Sequence, residues 1–244
     1  MTSEGTRQPL RQSTGKSAIR HHPGVVLWCA ADIARRPAAG CDRVWLIAWG
    51  YGHWFAPTAQ LAAARAACLA AGLECEALTM PLGHPGESLG LTDTAYPLSP
   101  PTHWRLAEDH LARHFCGTSL HAPATAENIA AIRALAELGF REVLLDDDCR
   151  LARSPGEIGG CFCAEHRAAS GLDGADWERL RADVAARRAT PLVRAWLERQ
   201  QAEMSGFLAA LDAADARVRV GLCVMELGDE KAGVPLAALS SRRV

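Results

Sequence analysis

The sequence predicts an α/β fold, a parallel (β/α) barrel present in part, with about five to six strands. Three observations predict it. From Gly24 onward, short β-rich apolar runs alternate with Ala-rich helical stretches, and repeated strand–helix–strand units of this length favour a parallel sheet under covering helices. Polar and aromatic residues gather just after the strands, at 49–54, 79–84, His121 and 146–148, where the C-terminal mouth of a barrel would bring them together. No Gly-x-Gly-x-x-Gly follows the first strand and no Gly-x-x-x-x-Gly-Lys-Ser/Thr loop occurs. That weighs against the open, doubly wound alternative.

The elements follow in order. Val25–Cys29 is the first strand candidate and Arg43–Trp49 the second, ending in the Gly-aromatic turn from Gly50 to Trp54. Thr58 offers a cap for a helix to about Ala71, which Gly72 stops. Leu73–Met80 is the next strand, followed by a Pro/Gly-rich loop to about Pro101. A helix from about Pro101 to His114 then leads into a strand over Phe115–Leu120. Thr125 caps a helix to Leu138, Gly139 ends it, and Arg141–Asp148 is the next strand. Trp177–Arg187 and Pro191–Ala213 are helical, and Arg217–Val224 is the last strand. Trp177 and Trp196 fall on amphipathic helices and are expected in the core.

Composition narrows the function classes. The 244 residues are 49% hydrophobic and 22% charged, with 26 basic against 28 acidic side chains and a pI near 6.5. This excludes wholesale disorder, a collagen-like repeat and a coiled coil. A near-neutral balance argues against a nucleic-acid partner, and no apolar run approaches the ~20 residues that span a bilayer. Residues 1–23 read as a disordered leader, leaving 24–244 as one barrel-type domain that stops short at its C-terminal end. Nine cysteines without a secretion signal point to a reducing, cytoplasmic setting, with thiols as core fillers, metal ligands or catalysts. Cys29, Cys41, Cys68, Cys75, Cys116 and Cys223 lie in apolar or helical surroundings and read as packing residues.

The informative stretch runs from Val143 to Arg167. An apolar strand leads straight into Asp146, Asp147 and Asp148. Alternation puts Asp146 and Asp148 on one face and Asp147 on the other. Three neighbouring carboxylates cannot all ionise freely, so at least one pKa rises, as a general acid requires. The same aspartates could instead cap the next helix, bind Arg150 and Arg153, or hold Mg²⁺. Then comes Cys161-Phe162-Cys163-Ala164-Glu165-His166. Two thiolates and an imidazole at this spacing can converge on one tetrahedral zinc ion, with Cys149 or His121 as the fourth ligand; buried free thiols are the plain alternative.

The pattern Gly160-Cys161-Phe162-Cys163-x-x-His166, set behind a strand ending in carboxylates, resembles the family-42 β-galactosidases and related clan-A glycoside hydrolases. The likeness covers about 30 residues well and the rest as strand order. It implies a (β/α)8 barrel in which a cysteine-rich loop after strand four holds a structural zinc, and an acid/base carboxylate at the end of that strand. Counting Arg43–Trp49 as strand one makes Arg141–Asp148 strand four. His166 stands where the family has its last cysteine, and Asp-Asp-Asp stands for its Asn-Glu pair.

The resemblance implies an acid role for Asp147 or Asp148, with Asp146 tuning it. Glu226, which closes the last strand, is the available second carboxylate, although the family's nucleophile sits at strand seven. Trp49, His53, Trp54, His121 and Arg150 are the candidate contacts to a sugar. The expected ligand is therefore a small molecule or oligosaccharide. A chain with only part of a barrel would leave open edges and self-associate. Two other readings stay open: a non-catalytic, zinc-stapled binding protein, and a Mg²⁺-dependent phosphoryl-transfer or lyase enzyme using the aspartate run. The last lacks a phosphate-binding lysine cluster, since Lys16 and Lys231 are the only lysines.

Overall fold

A computed structural model describes residues 24–27, 42–50, 52–82, 107–115, 120, 124–146 and 158–223. In chain order its elements are β1 (Gly24–Leu27), β2 (Arg43–Gly50), β3 (His53–Trp54), α1 (Thr58–Ala70), β4 (Glu74–Met80), β5 (Ala107–Glu108) and β6 (His114–Phe115). There follow α2 (Ala124–Glu137), β7 (Glu142–Leu145), α3 (Ala164–Ser170), α4 (Gly174–Ala185), α5 (Pro191–Asp212) and β8 (Arg219–Leu222).

The protein is α/β. Its main sheet runs β1-β2-β4-β7-β8, with every neighbour in that row parallel and in the order the chain makes them; β3 folds back antiparallel onto β2. Registers such as Leu46 opposite Ala77, Ala77 opposite Val143 and Leu145 opposite Leu222 fix which side chains share a face.

One face belongs to the helices. Val44, Leu46, Ala48, Cys75, Ala77, Val143 and Leu145 form a single apolar cluster with α1 (Leu61, Ala64, Cys68), α2 (Ile132, Leu135, Ala136) and the C-terminal half of α5 (Met204, Phe207, Leu208, Leu211). The helix residues recur at three- and four-residue spacing, which presents one stripe to the sheet. The other face carries a smaller cluster of Ile47, Leu78 and Met80, flanked by Trp45, Phe55 and Leu144. A register shift between Ile47 and Trp49 turns Trp49 back to the helix side, where its Nε1–H donates to Asn128 on α2.

At the strands' N-terminal ends the rungs are ionic. Arg43 bonds Glu74 at 2.5 Å and Glu142 at 2.7 Å, and Arg219 meets the other oxygen of Glu142. These pairs tie neighbouring strands together; where a partner is exposed, as at Glu74 and Arg219, the pair adds little stability.

The glycine stops follow the predicted punctuation, and the two predicted threonine caps do not. Gly139 adopts φ +90°, and the Phe140 N–H returns to the Leu135 carbonyl at 3.1 Å, closing α2 through a conformation open to glycine. Gly72 ends α1 at φ +77°. Thr58 is not the cap of α1: Pro57 holds that position, and its carbonyl accepts from Gln60 and Leu61. Thr125 likewise lies inside α2.

Two expectations need correction. The helix over 101–114 does not form through its described part. Residues 107–115 make a hairpin, with Ala107 opposite Phe115 and Glu108 opposite His114. Asp109 directs this: its carboxylate accepts from the N–H groups of Leu111 and Arg113 and from the Arg113 guanidinium, while Ala112 turns at φ +59°. A side chain that satisfies its own loop's donors competes with a helix for them. The hairpin also corrects the strand count. β7 pairs directly with β4, so no strand from the 115–120 region stands between them, and β7 is fourth only when β1 is counted. The short helix α3 has no counterpart in the sequence prediction.

Among the described residues, no helix is long and apolar enough to cross a membrane. The proposed leader 1–23 lies outside the described residues.

Candidate metal centre

The loop leading into α3 lies between the β5–β6 hairpin and α5. Phe162 anchors it. Its ring sits 5.0 Å from that of Trp196 and 5.6 Å from that of Trp177, inside a second apolar cluster that also holds Leu180, Val184 and Val193. Both tryptophans are core residues, as their helical positions predict. Just ahead, Gly160 turns at φ +120°, and a Cβ there would stand 2.5 Å from the Trp196 indole nitrogen. Only glycine lets the loop pass this close.

Backbone bonds hold the next residues. Phe162 N–H donates to the Glu108 carbonyl at 2.7 Å, and Cys161 N–H donates to the Gln200 side-chain oxygen at 3.1 Å. The Cys161 sulfur in turn accepts from the Glu108 N–H at 3.4 Å. The hairpin that stands in place of the predicted helix thus supplies two of these three contacts, and α5 the third.

With the loop so held, the sulfurs of Cys161 and Cys163 and a ring nitrogen of His166 all fall within 4.8 Å of one another. Cys163 Sγ faces His166 Nδ1 at 3.2 Å. Tetrahedral zinc with ordinary Zn–S and Zn–N bonds would set such donors about 3.5–3.8 Å apart, so small side-chain rotations close the set. Cys161 and His166 are fully buried and Cys163 half-buried. The far side of the imidazole is also engaged: Nε2 faces Glu203 on α5 at 3.0 Å, and Gln200 Nε2–H donates to the same carboxylate oxygen at 3.3 Å.

Electrostatics fit a cation. The neighbouring Cys163 thiol and burial both push the Cys161 thiol far above its ordinary range, since a lone thiolate there would have no counter-charge. Without a metal this is an inert thiol pair; a divalent ion reverses the sign of that argument. For His166, burial pulls the pKa down, but Cys163 and Glu203 outweigh it and raise the value to about 9.

The other predicted site residues divide into two groups. Asp146 is half-buried at the C-terminal tip of β7, and its N–H donates to the Thr79 carbonyl of β4 at 2.9 Å. Trp49 is buried; its indole N–H is spent on Asn128, whose amide hydrogens go to the Pro81 and Ala124 carbonyls. Trp54 lies edge-on to Trp49 at 5.2 Å, and His53 packs beside Phe55 at 5.2 Å. Asp147, Asp148, Cys149, Arg150, His121 and Glu226 lie outside the described residues. Both proposed fourth ligands are among them.

Sequence reasoning missed Glu108, Asn128, Gln200 and Glu203. Two of these left a signal. Gln200 falls in the buried stripe Val193, Trp196, Gln200, Met204, Phe207, and Asn128 falls likewise in that of α2. A buried amide on an apolar stripe implies a partner that it must satisfy. Neither family models nor curated proteins give a match to this chain.

Proposed function

We propose that this chain is a carbohydrate-active hydrolase of the barrel type, with a structural zinc ion bracing the loop behind its acidic strand. The observation that carries the reading is the setting of β7. It lies inside the parallel row, so its end shares an edge with the ends of β2 and β4, and the carboxylates begin there with Asp146. Strands in chain order with helices on one face support the barrel.

In this reading Asp147 or Asp148 protonates the leaving oxygen, Asp146 keeps that acid protonated by like-charge repulsion, and Glu226 is the second carboxylate. His53, Trp54, His121 and Arg150 contact the sugar. Trp49 acts one step back, steadying Trp54 from a position locked by Asn128. Burial of Cys161 and His166 suits a structural rather than a catalytic ion, and a thiolate site suits a reducing, cytoplasmic compartment.

Turnover of a panel of aryl glycosides tests the proposal. One of Asp146→Asn, Asp147→Asn or Asp148→Asn should abolish turnover with the melting temperature unchanged. Unaltered turnover in all three removes the acid. The closed, buried cluster equally favours a zinc-stapled sugar-binding protein; saturable quenching of tryptophan fluorescence by a sugar, without turnover, would select that reading.

A further inference from the structure

We propose that Glu203 is the positioning residue of the metal centre: its carboxylate holds the Nε2–H of His166, so that Nδ1 is the nitrogen that binds the ion. The inference rests on the zinc reading of the cluster and extends it to α5.

The geometry assigns the two nitrogens. Nδ1 faces Cys163 Sγ at 3.2 Å, on the side where the sulfurs converge, and Nε2 faces the Glu203 carboxylate at 3.0 Å. A ligating imidazole must present a lone pair to the metal, so its one proton sits on the other nitrogen and needs an acceptor. Glu203 is that acceptor. A carboxylate there also makes the imidazole a stronger donor to the cation.

Glu203 is itself held in place. Gln200 Nε2–H donates to it at 3.3 Å, and Arg199 lies 3.7 Å from its second oxygen. Gln200 is completely buried, and its own oxygen accepts from the Cys161 N–H at 3.1 Å. One turn of α5 therefore reaches two of the three ligand residues through side chains that bond each other. That turn lies where the helix changes partners. Val193 and Trp196 belong to the cluster around Phe162, whereas Met204, Phe207, Leu208 and Leu211 belong to the core under the sheet. Loading the ion thus bears on the helix that joins the two cores.

The plain alternative is an ion pair between protonated His166 and Glu203 that stands without a metal. The two differ in what Glu203 does for zinc. The test uses the full chain, with Zn²⁺ affinity measured by competition against a chromophoric chelator and the His166 tautomer read from the ring ¹⁵N spectrum of the zinc-loaded protein. Wild-type chain should show an Nε2–H ring. Glu203→Ala should weaken Zn²⁺ binding roughly 10- to 100-fold, and Glu203→Gln, whose amide oxygen still accepts, should recover most of that loss. Affinity within twofold of wild type in Glu203→Ala, with only the metal-free melting temperature lowered, would leave the ion pair as the whole explanation and overturn the proposal. So would an Nδ1–H tautomer in the zinc-loaded wild type, a measurement that needs no variant to fold. Wild-type chain that takes up no zinc overturns the metal reading itself and this assignment with it.

Discussion

The helix-covered face of the sheet and the loop behind β7 are held by different physics. Under the sheet, α1, α2 and half of α5 bury aliphatic and aromatic side chains in a single cluster. Around Cys161 the set is mixed: two thiols, an imidazole, an amide and a half-buried carboxylate bond one another beside the Phe162–Trp177–Trp196 stack. An apolar core degrades gradually, because its energy is spread over many contacts. A buried polar set fails abruptly, because each member left unsatisfied costs the full desolvation of its group. The two regions should therefore answer differently to the same perturbation.

The largest difference is expected on removing the ion. Chelation or Cys161→Ser should cost several kcal/mol, less than the ~10–16 kcal/mol of a zinc finger, because apolar packing around Phe162 survives. Fluorescence from Trp177 and Trp196 should change while the far-ultraviolet signal of the sheet and its helices persists. Coincident loss of both signals would mean the regions are one cooperative unit.

Phe140→Ala is the complementary cut. Its ring is fully buried under the sheet with Arg65 over one face at 5.5 Å. Truncation should cost about 3–5 kcal/mol in urea unfolding and leave zinc affinity unchanged. Gly160→Ala should act the other way round, costing about 1–3 kcal/mol through strain at a positive φ and the clash with Trp196. That loss should appear as weaker zinc binding, with the sheet core intact by hydrogen exchange.

The same contrast explains what the sequence could disclose. The five parallel strands of the main sheet and four of the five described helices lie within a few residues of where apolar period and glycine stops put them, whereas β3 falls in a stretch that reads as a turn. Val44, Leu46, Leu135 and Leu211 announce their burial by spacing alone. The candidate metal cluster is legible in its own residues, since Cys161, Cys163 and His166 are close in sequence, and illegible in its support. Glu203 lies 37 positions from His166, and Glu108 lies 53 from Cys161; no local pattern links residues so far apart. Residues 101–114 carry helix-compatible composition, while the interaction that decides the hairpin is one aspartate turning back on its own loop, which no helical period discloses.

That aspartate gives the most selective test. Asp109 is buried to 5% exposure and accepts from Leu111 N–H, Arg113 N–H and Arg113 Nε. Burial alone would raise its pKa, but the donors and the guanidinium outweigh it and hold the carboxyl below the ordinary value of 3.8. A depressed folded-state pKa means the stabilisation is fully present above the unfolded value and is lost as pH falls through the folded one. Asp109→Asn keeps one oxygen to accept from the Leu111 and Arg113 N–H groups but removes the charge and the oxygen that accepts from the Arg113 guanidinium, so at neutral pH it should cost about 1–3 kcal/mol. The gap between variant and wild type should begin to narrow below pH ~4, the unfolded-state value, and close only as pH falls through the depressed folded-state value and the wild-type carboxyl takes up its own proton. Because the hairpin's Glu108 bonds both Cys161 and Phe162, a loosened turn should also speed zinc release at neutral pH. A pH-independent cost, or one with no effect on zinc release, would place the hairpin outside the staple and leave α5 as its main support.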